Sequence, residues 1–157
     1  MKFRMIIFPL LLIVSNLCAQ SDYETMDGPS LRIDGQSFTL KKEVILRKYG
    51  KPVRIFEPKY ECGFLSEDGQ GMKFFSLEYV DLKFTGNSKE GYLLEEIVFK
   101  PALKRNISFR HKPLSHQTTI PDFESIFGVK VSGSEKVIYN KGADDAYIFT
   151  FSKGKLL

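Results

Sequence analysis

The stretch from Thr119 to Val131 constrains the fold most, because the chain carries its plan twice. Thr119 is placed to cap a helix, Pro121 falls in the first turn, where its missing N–H is no loss, and Asp122 stands where a capping-box acid belongs. Gly128 supplies the left-handed residue that stops the helix. Ile120, Phe123, Ile126 and Phe127 then share one side at about 100° per residue. The earlier stretch from Leu40 to Val53 has the same outline with a less regular apolar face: a helix over about Lys41 to Tyr49, ended by Gly50, Lys51 and Pro52, the proline forbidding continuation.

What surrounds the helices reads as strand. Leu31 and Ile33 precede Asp34-Gly35, a dipeptide suited to a tight hairpin turn, and Phe38 follows it. Strands are expected at Val53 to Phe56, Glu61 to Leu65, Lys73 to Phe84 with a slip near Val80 that marks a bulge, and Tyr92 to Lys100. Turns fall at Glu67 to Gly71 and Gly86 to Gly91, and Pro101 separates two halves. Ile107 and Phe109 match Leu31 and Ile33 at an offset of 76, and Leu114 matches Phe38. Strands at Lys136 to Tyr139, Ala146 to Phe151 and Lys155 to Leu157 close the second half, the last two joined by Lys153-Gly154. The pattern predicts an α+β chain of two repeated modules, residues 31–102 and 103–157, each a short helix packed on an antiparallel meander with no parallel strands. The expected core comprises Ile33, Ile45, Tyr49, Leu82, Phe84, Ile97, Phe99, Phe123, Ile126, Phe127, Ile148 and one of Phe149 and Phe151.

Residues 1–19 read as a secretory signal peptide: Lys2 and Arg4, then a ten-residue apolar run from Met5 to Val14, then polar residues and the small Ala19 before the cut. Ten residues is half of the roughly 20 that a membrane-spanning helix needs. Cys18 leaves a second possibility, lipidation at the end of the signal. Cleavage after Ala19 leaves 138 residues (157 − 19), enough for a core that needs no staples, and residues 20–30 read as a flexible leader. With Cys18 gone only Cys62 remains, so no intramolecular disulfide forms. The formal charge of +4 falls to +2 once Lys2 and Arg4 leave, a poor fit to nucleic acid.

Tyr49-Gly50-Lys51-Pro52 followed by a meander, doubled in an exported chain, resembles the modules of the BLIP-like superfold, as does the segment from Ile33 to Leu40. That group holds the tandem β-lactamase inhibitor proteins and the single-copy SmpA/OmlA envelope lipoproteins. The resemblance implies function carried by exposed sheet and loops. It transfers no residue roles, and Gly128-Val129-Lys130 departs from the Gly-Lys-Pro corner in the second copy.

Catalytic chemistry finds little support in the residue pattern. Cys62 lies in an expected strand without a nucleophile signature, and His111 and His116 are five positions apart, off the helical spacing of a metal pair. The acidic pairs Glu67-Asp68 and Asp144-Asp145 read as turn residues. No cofactor, metal or catalytic residue is therefore expected. One charge feature stands out: Lys100, Lys104, Arg105, Arg110 and Lys112 fall within thirteen residues that hold no acid, at the joint between the halves. They are the expected binding residues, for an acidic protein or envelope component. The expected role is a non-enzymatic inhibitor or immunity-like binding module, periplasmic or extracellular, with a structural or assembly part in the cell envelope as the alternative.

Overall fold

The computed structural model describes residues 24–58, 72–142 and 145–157. The signal segment with Cys18, the strand expected at Glu61 to Leu65 with Cys62, the Glu67 to Gly71 turn and Asp144 lie outside the described residues. Within them the chain is α+β, with two helices and three sheets.

Strand β2 (Leu31–Ile33) enters a turn at Asp34 and Gly35, both left-handed at φ 49° and 78°, as an Asp-Gly hairpin requires. β3 (Thr39–Leu40) leads into α1 (Lys42–Tyr49), whose Ile45 is fully buried. Gly50, at φ 78°, ends it and donates its N–H to Leu46 O at 3.0 Å. β4 (Arg54–Phe56), β5 (Phe75–Glu78), β6 (Leu82–Asn87) and β7 (Gly91–Ile97) form an antiparallel meander, and β7 closes it by pairing with β3. The expected single strand from Lys73 to Phe84 is instead a hairpin. Tyr79 N–H bonds to Leu82 O at 2.8 Å and the chain reverses at Tyr79 to Asp81, while the register shift lies between Lys83 and Phe84, opposite β7.

The second half opens in the same way. β8 (Ile107–Phe109) turns through Arg110 and His111, at φ 48° and 67°, into β9 (Lys112–Leu114). Arg110 and His111 stand 76 positions after Asp34 and Gly35 and share their left-handed backbone. β2 and β8 pair with each other antiparallel, Leu31 opposite Phe109 and Ile33 opposite Ile107. α2 (Ile120–Phe127) has a complete capping box: Asp122 N–H donates to Thr119 Oγ1, and the Thr119 N–H and hydroxyl both donate to Asp122 Oδ2. β10 (Glu135–Asn140), β11 (Ala146–Ser152) and β12 (Lys155–Leu156) complete the half, with Leu156 N–H bonded to Thr118 O at 3.0 Å just ahead of α2.

Two expectations need correction here. Residues 24–30 are not a mobile leader: β1 (Thr25–Met26) pairs with β10, Met26 is buried, and Gly28 N–H donates to Asn140 Oδ1 at 3.0 Å. That pairing is parallel, so the sheets are antiparallel except at this edge. Parallel pairing is possible because β1 comes from the far end of the chain and needs no hairpin. Ile148 is not core but 67% exposed. Successive strand residues point to opposite faces, so Tyr147, Phe149 and Phe151 take the inner face of β11 and Ile148 must point outward. Of the other expected core positions, Ile97, Ile126, Phe127 and Phe149 are half-buried against the core and the rest are buried, Phe149 being the alternative to Phe151.

The core is one continuous cluster. Phe123 of α2, fully buried, meets Phe127 at 4.3 Å, Phe149 at 4.8 Å and Phe151 at 5.1 Å between ring centroids, while Phe127 stacks on Phe109 at 4.4 Å. In the first half Tyr49 packs on Phe84 and Tyr79.

Candidate functional site

The contacts of the cations at the joint divide them among three places. Lys100 donates to Val80 O at 3.0 Å, on the turn between β5 and β6. Arg105 lies over the Tyr49 ring at 4.7 Å with its guanidinium 3.9 Å from Asp34 Oδ2. Lys104, Arg110 and Lys112 are exposed and make no ion pair among the described residues, although Arg110 lies over Phe109 at 5.1 Å. Arg105 thus ties the halves together, and only the other three present cations to solvent. His111 sits exposed in the β8–β9 turn and His116 is half-buried beyond β9. Among the described residues no three His, Cys, Asp or Glu side chains stand together in a metal-binding group.

Asp34 is the polar centre of the joint. Its Oδ1 accepts the Asn106 N–H at 2.9 Å and its carbonyl accepts Lys48 Nζ at 2.8 Å, whereas Oδ2 and the nearby Tyr49 hydroxyl are buried without a hydrogen-bond partner among the described residues. Burial, then the Asp34 charge, push the Tyr49 hydroxyl up to about 12, against the opposing pull of Arg105.

The outward faces of the two large sheets differ in chemistry. On the first, Arg54 pairs with Glu78 at 2.7 Å and Lys83 with Glu96 at 3.0 Å, and Ser76 is hydrogen-bonded to Thr85, which donates to Glu95. Burial is the largest influence on Lys83 and lowers its pKa, yet the bond to Glu96 and the two glutamate charges together outweigh it and leave it raised. On the second sheet the outward face carries an apolar patch. Val137 is in register with Ile148, both exposed, and Ala146 beside them is exposed too, with Glu135 and Thr150 paired further along the same face. Cross-strand apolar pairs normally stabilise a sheet by being covered, so an exposed one is informative.

Beside this face a groove of about 490 Å³ runs between β7 and β11, with Leu31, Phe38, Ile107 and Leu114 also contributing to its wall. Sequence reasoning missed both features. The available signal was the run Tyr147-Ile148-Phe149, apolar on both faces of one strand, which marks a strand with something against each side. Comparison with protein families, curated proteins and solved structures gives no match. Among the described residues no helix is long and apolar enough to cross a membrane.

Proposed function

We propose that the protein is an exported, non-enzymatic protein-binding module, built from two tandem helix-plus-meander units of BLIP-like kind, that docks its partner through the outer face of β10 and β11. The observation that carries this is the exposed apolar patch of Val137, Ala146 and Ile148 on that face, with the Val137–Ile148 pair at its centre. Such faces on folded proteins mark interaction sites.

Support for the tandem design comes from the pairing of β2 with β8. Under the offset of 76 the pair Leu31–Phe109 becomes Ile107–Ile33, so the two strands are related by an approximate two-fold axis through Arg32 and Ser108. The left-handed turn residues obey the same offset, and Ile45 and Phe123 occupy equivalent buried positions one turn into their helices. Export rests on residues 1–19.

Val137→Asp tests the binding role, because it places a charge at the centre of the exposed face without touching the core. Crosslinking of the parent in its native envelope is expected to recover one soluble partner in stoichiometric amount, and the variant, with unchanged circular dichroism, to recover it at least about tenfold less well. Recovery of outer-membrane assembly proteins or peptidoglycan instead would establish the envelope-structural alternative. Equal recovery by parent and variant rejects this face as the docking surface.

A further inference from the structure

The two strands that flank the groove each have an edge left partly open. β3 covers β7 only at Tyr92 and Leu93, with Leu94 N–H bonded to Phe38 O at 2.8 Å; beyond that, from Glu95 to Ile97, no strand lies on that side among the described residues. β12 covers β11 only at Phe151 and Ser152, with Leu157 N–H on Thr150 O at 2.9 Å, so among the described residues no strand covers Ala146 to Phe149 on that side. The groove lies between these two open stretches.

The register shows which main-chain groups of β11 face it. Phe151 N–H donates to Ser134 O, and Asp145 O accepts from Asn140 N–H, both toward β10. Main-chain groups alternate sides along a strand, so Tyr147 and Phe149 also face β10, whereas Ala146 and Ile148 direct theirs to the open edge. A row of unpaired main-chain donors and acceptors is a template for another strand. The volume of about 490 Å³ lies within the range of ligand clefts, about 300–1,000 Å³.

Charge narrows the occupant. The charged residues that line the groove are Glu95, Glu96 and Asp145, all acidic, in a chain with a net charge of +4. Lys83 is shared by both glutamates, at 3.6 and 3.0 Å, and among the described residues the Asp145 carboxylate accepts only from the neutral Asn140 amide, at 3.2 Å. Three carboxylates thus meet one ammonium.

We propose that this groove takes an extended cationic segment of the partner protein, which adds a strand to β11 through Ala146 and Ile148 and turns its basic side chains to Glu95, Glu96 and Asp145. This rests on the binding-module reading and names the partner's chemistry. Main-chain pairing supplies affinity in such strand addition, and side chains at alternate positions supply selectivity. An acidic segment is disfavoured by the same three carboxylates.

The test titrates the full ¹⁵N-labelled protein, at low salt, with two capped peptides, one of four Lys-Val repeats and one of four Glu-Val repeats. The lysine peptide is expected to shift the amides of Ala146, Ile148 and Glu95 to Ile97, to slow hydrogen exchange at the Ile148 amide, and to bind at least about tenfold more tightly than the glutamate peptide. The triple variant Glu95→Gln, Glu96→Gln, Asp145→Asn keeps an acceptor at each position and should abolish most of that difference. Equal binding of the two peptides, shifts confined to other residues, or a triple variant that behaves as the parent overturns the proposal. So do the same shifts arising from self-association without peptide, which would make a second copy the occupant. Failure here while Val137→Asp still abolishes partner recovery refutes the groove alone; recovery of no stoichiometric partner by the parent refutes the binding module itself.

Discussion

Replacing Tyr49 by Phe removes one oxygen from the joint between the halves and leaves its packing in place. The ring is 9% exposed, packs on Phe84 at 5.4 Å and Tyr79 at 6.2 Å, and carries the Arg105 guanidinium at 4.7 Å, all of which Phe retains. The hydroxyl is buried without a hydrogen-bond partner among the described residues, an arrangement that costs about 1–3 kcal/mol. Tyr49→Phe should therefore raise the unfolding free energy at pH 7 by about 1 kcal/mol, the low end because part of that cost is relieved by local adjustment. A second consequence appears at high pH. The native state holds the Tyr49 proton up to about pH 12, whereas the unfolded chain releases it near the ordinary tyrosine value of 10.0, so this contribution is present in full below pH 10 and is lost as pH rises toward 12. A rise of that size is worth on the order of 3 kcal/mol in total, most of which is gone by pH 11.5. Urea unfolding of parent and variant at pH 7, 9, 10.5 and 11.5 measures both effects. Tyr79, Tyr92 and Tyr147 are also raised by burial, and the difference between parent and variant cancels them. A variant that loses more than about 1 kcal/mol at pH 7, with a gap to the parent that does not widen above pH 10, would show that the hydroxyl is well bonded and refute the reasoning.

Three further substitutions probe the rest of the fold. Phe123→Ala empties the centre of a four-ring cluster and should cost about 3–5 kcal/mol in urea unfolding, enough to threaten the second half outright. Gly86→Ala would bring a Cβ to 2.0 Å from Gly91 O and 2.6 Å from the Tyr92 Cα, both main chain, so the β6–β7 hairpin must part; a loss at the top of the about 1–3 kcal/mol range for overpacking is expected by thermal denaturation. Thr119→Ala removes the α2 cap at a cost of about 0.5–2 kcal/mol, and carboxyl NMR titration should find Asp122, which two Thr119 hydrogen bonds hold below the usual carboxylate range, returning upward toward it. Because the Asp122 value is depressed in the parent, its contribution is present at neutral pH and fades as pH falls through that depressed value, a fade that Thr119→Ala should weaken, since alanine keeps only the main-chain N–H bond to Asp122.

The parts of the fold visible in the residues are those decided within a few positions. Thr119, Asp122 and Gly128 announce α2, and Asp34-Gly35 announces its hairpin, because caps and left-handed turns are local chemistry. The offset linking Leu31 to Ile107 was readable too, but not that these strands pair with each other, since pairing partners carry no mark of identity. The turn at Tyr79 to Asp81 is not legible in the residues because Tyr-Val-Asp lacks glycine and proline, and the chain reverses there on the Tyr79–Leu82 main-chain bond with Lys100, some twenty positions on, donating to Val80 O. Strand β1 is two residues long and pairs with a segment more than a hundred positions away, so neither periodicity nor flanking turns betray it. The groove is assembled from edges in both halves, and the cationic segment that drew attention in the sequence is split by the fold, with Arg105 engaged at Asp34 and Tyr49.

Strand β1 also bears on how the molecule is put together in time. Thr25 lies opposite Tyr139, so the outer edge of the β10–β12 sheet is supplied by residues made more than a hundred positions earlier, and β2 likewise waits for β8. Each half borrows main-chain partners from the other, and the entropy of closing those long loops must be met before either sheet is finished. Contacts of such separation make for slow folding, and they leave no point near Pro101 at which the chain can be cut to yield two self-sufficient pieces. The halves are therefore bound to a common fate: a chain still being synthesised cannot pair β1 or β2 until the second half arrives to meet them.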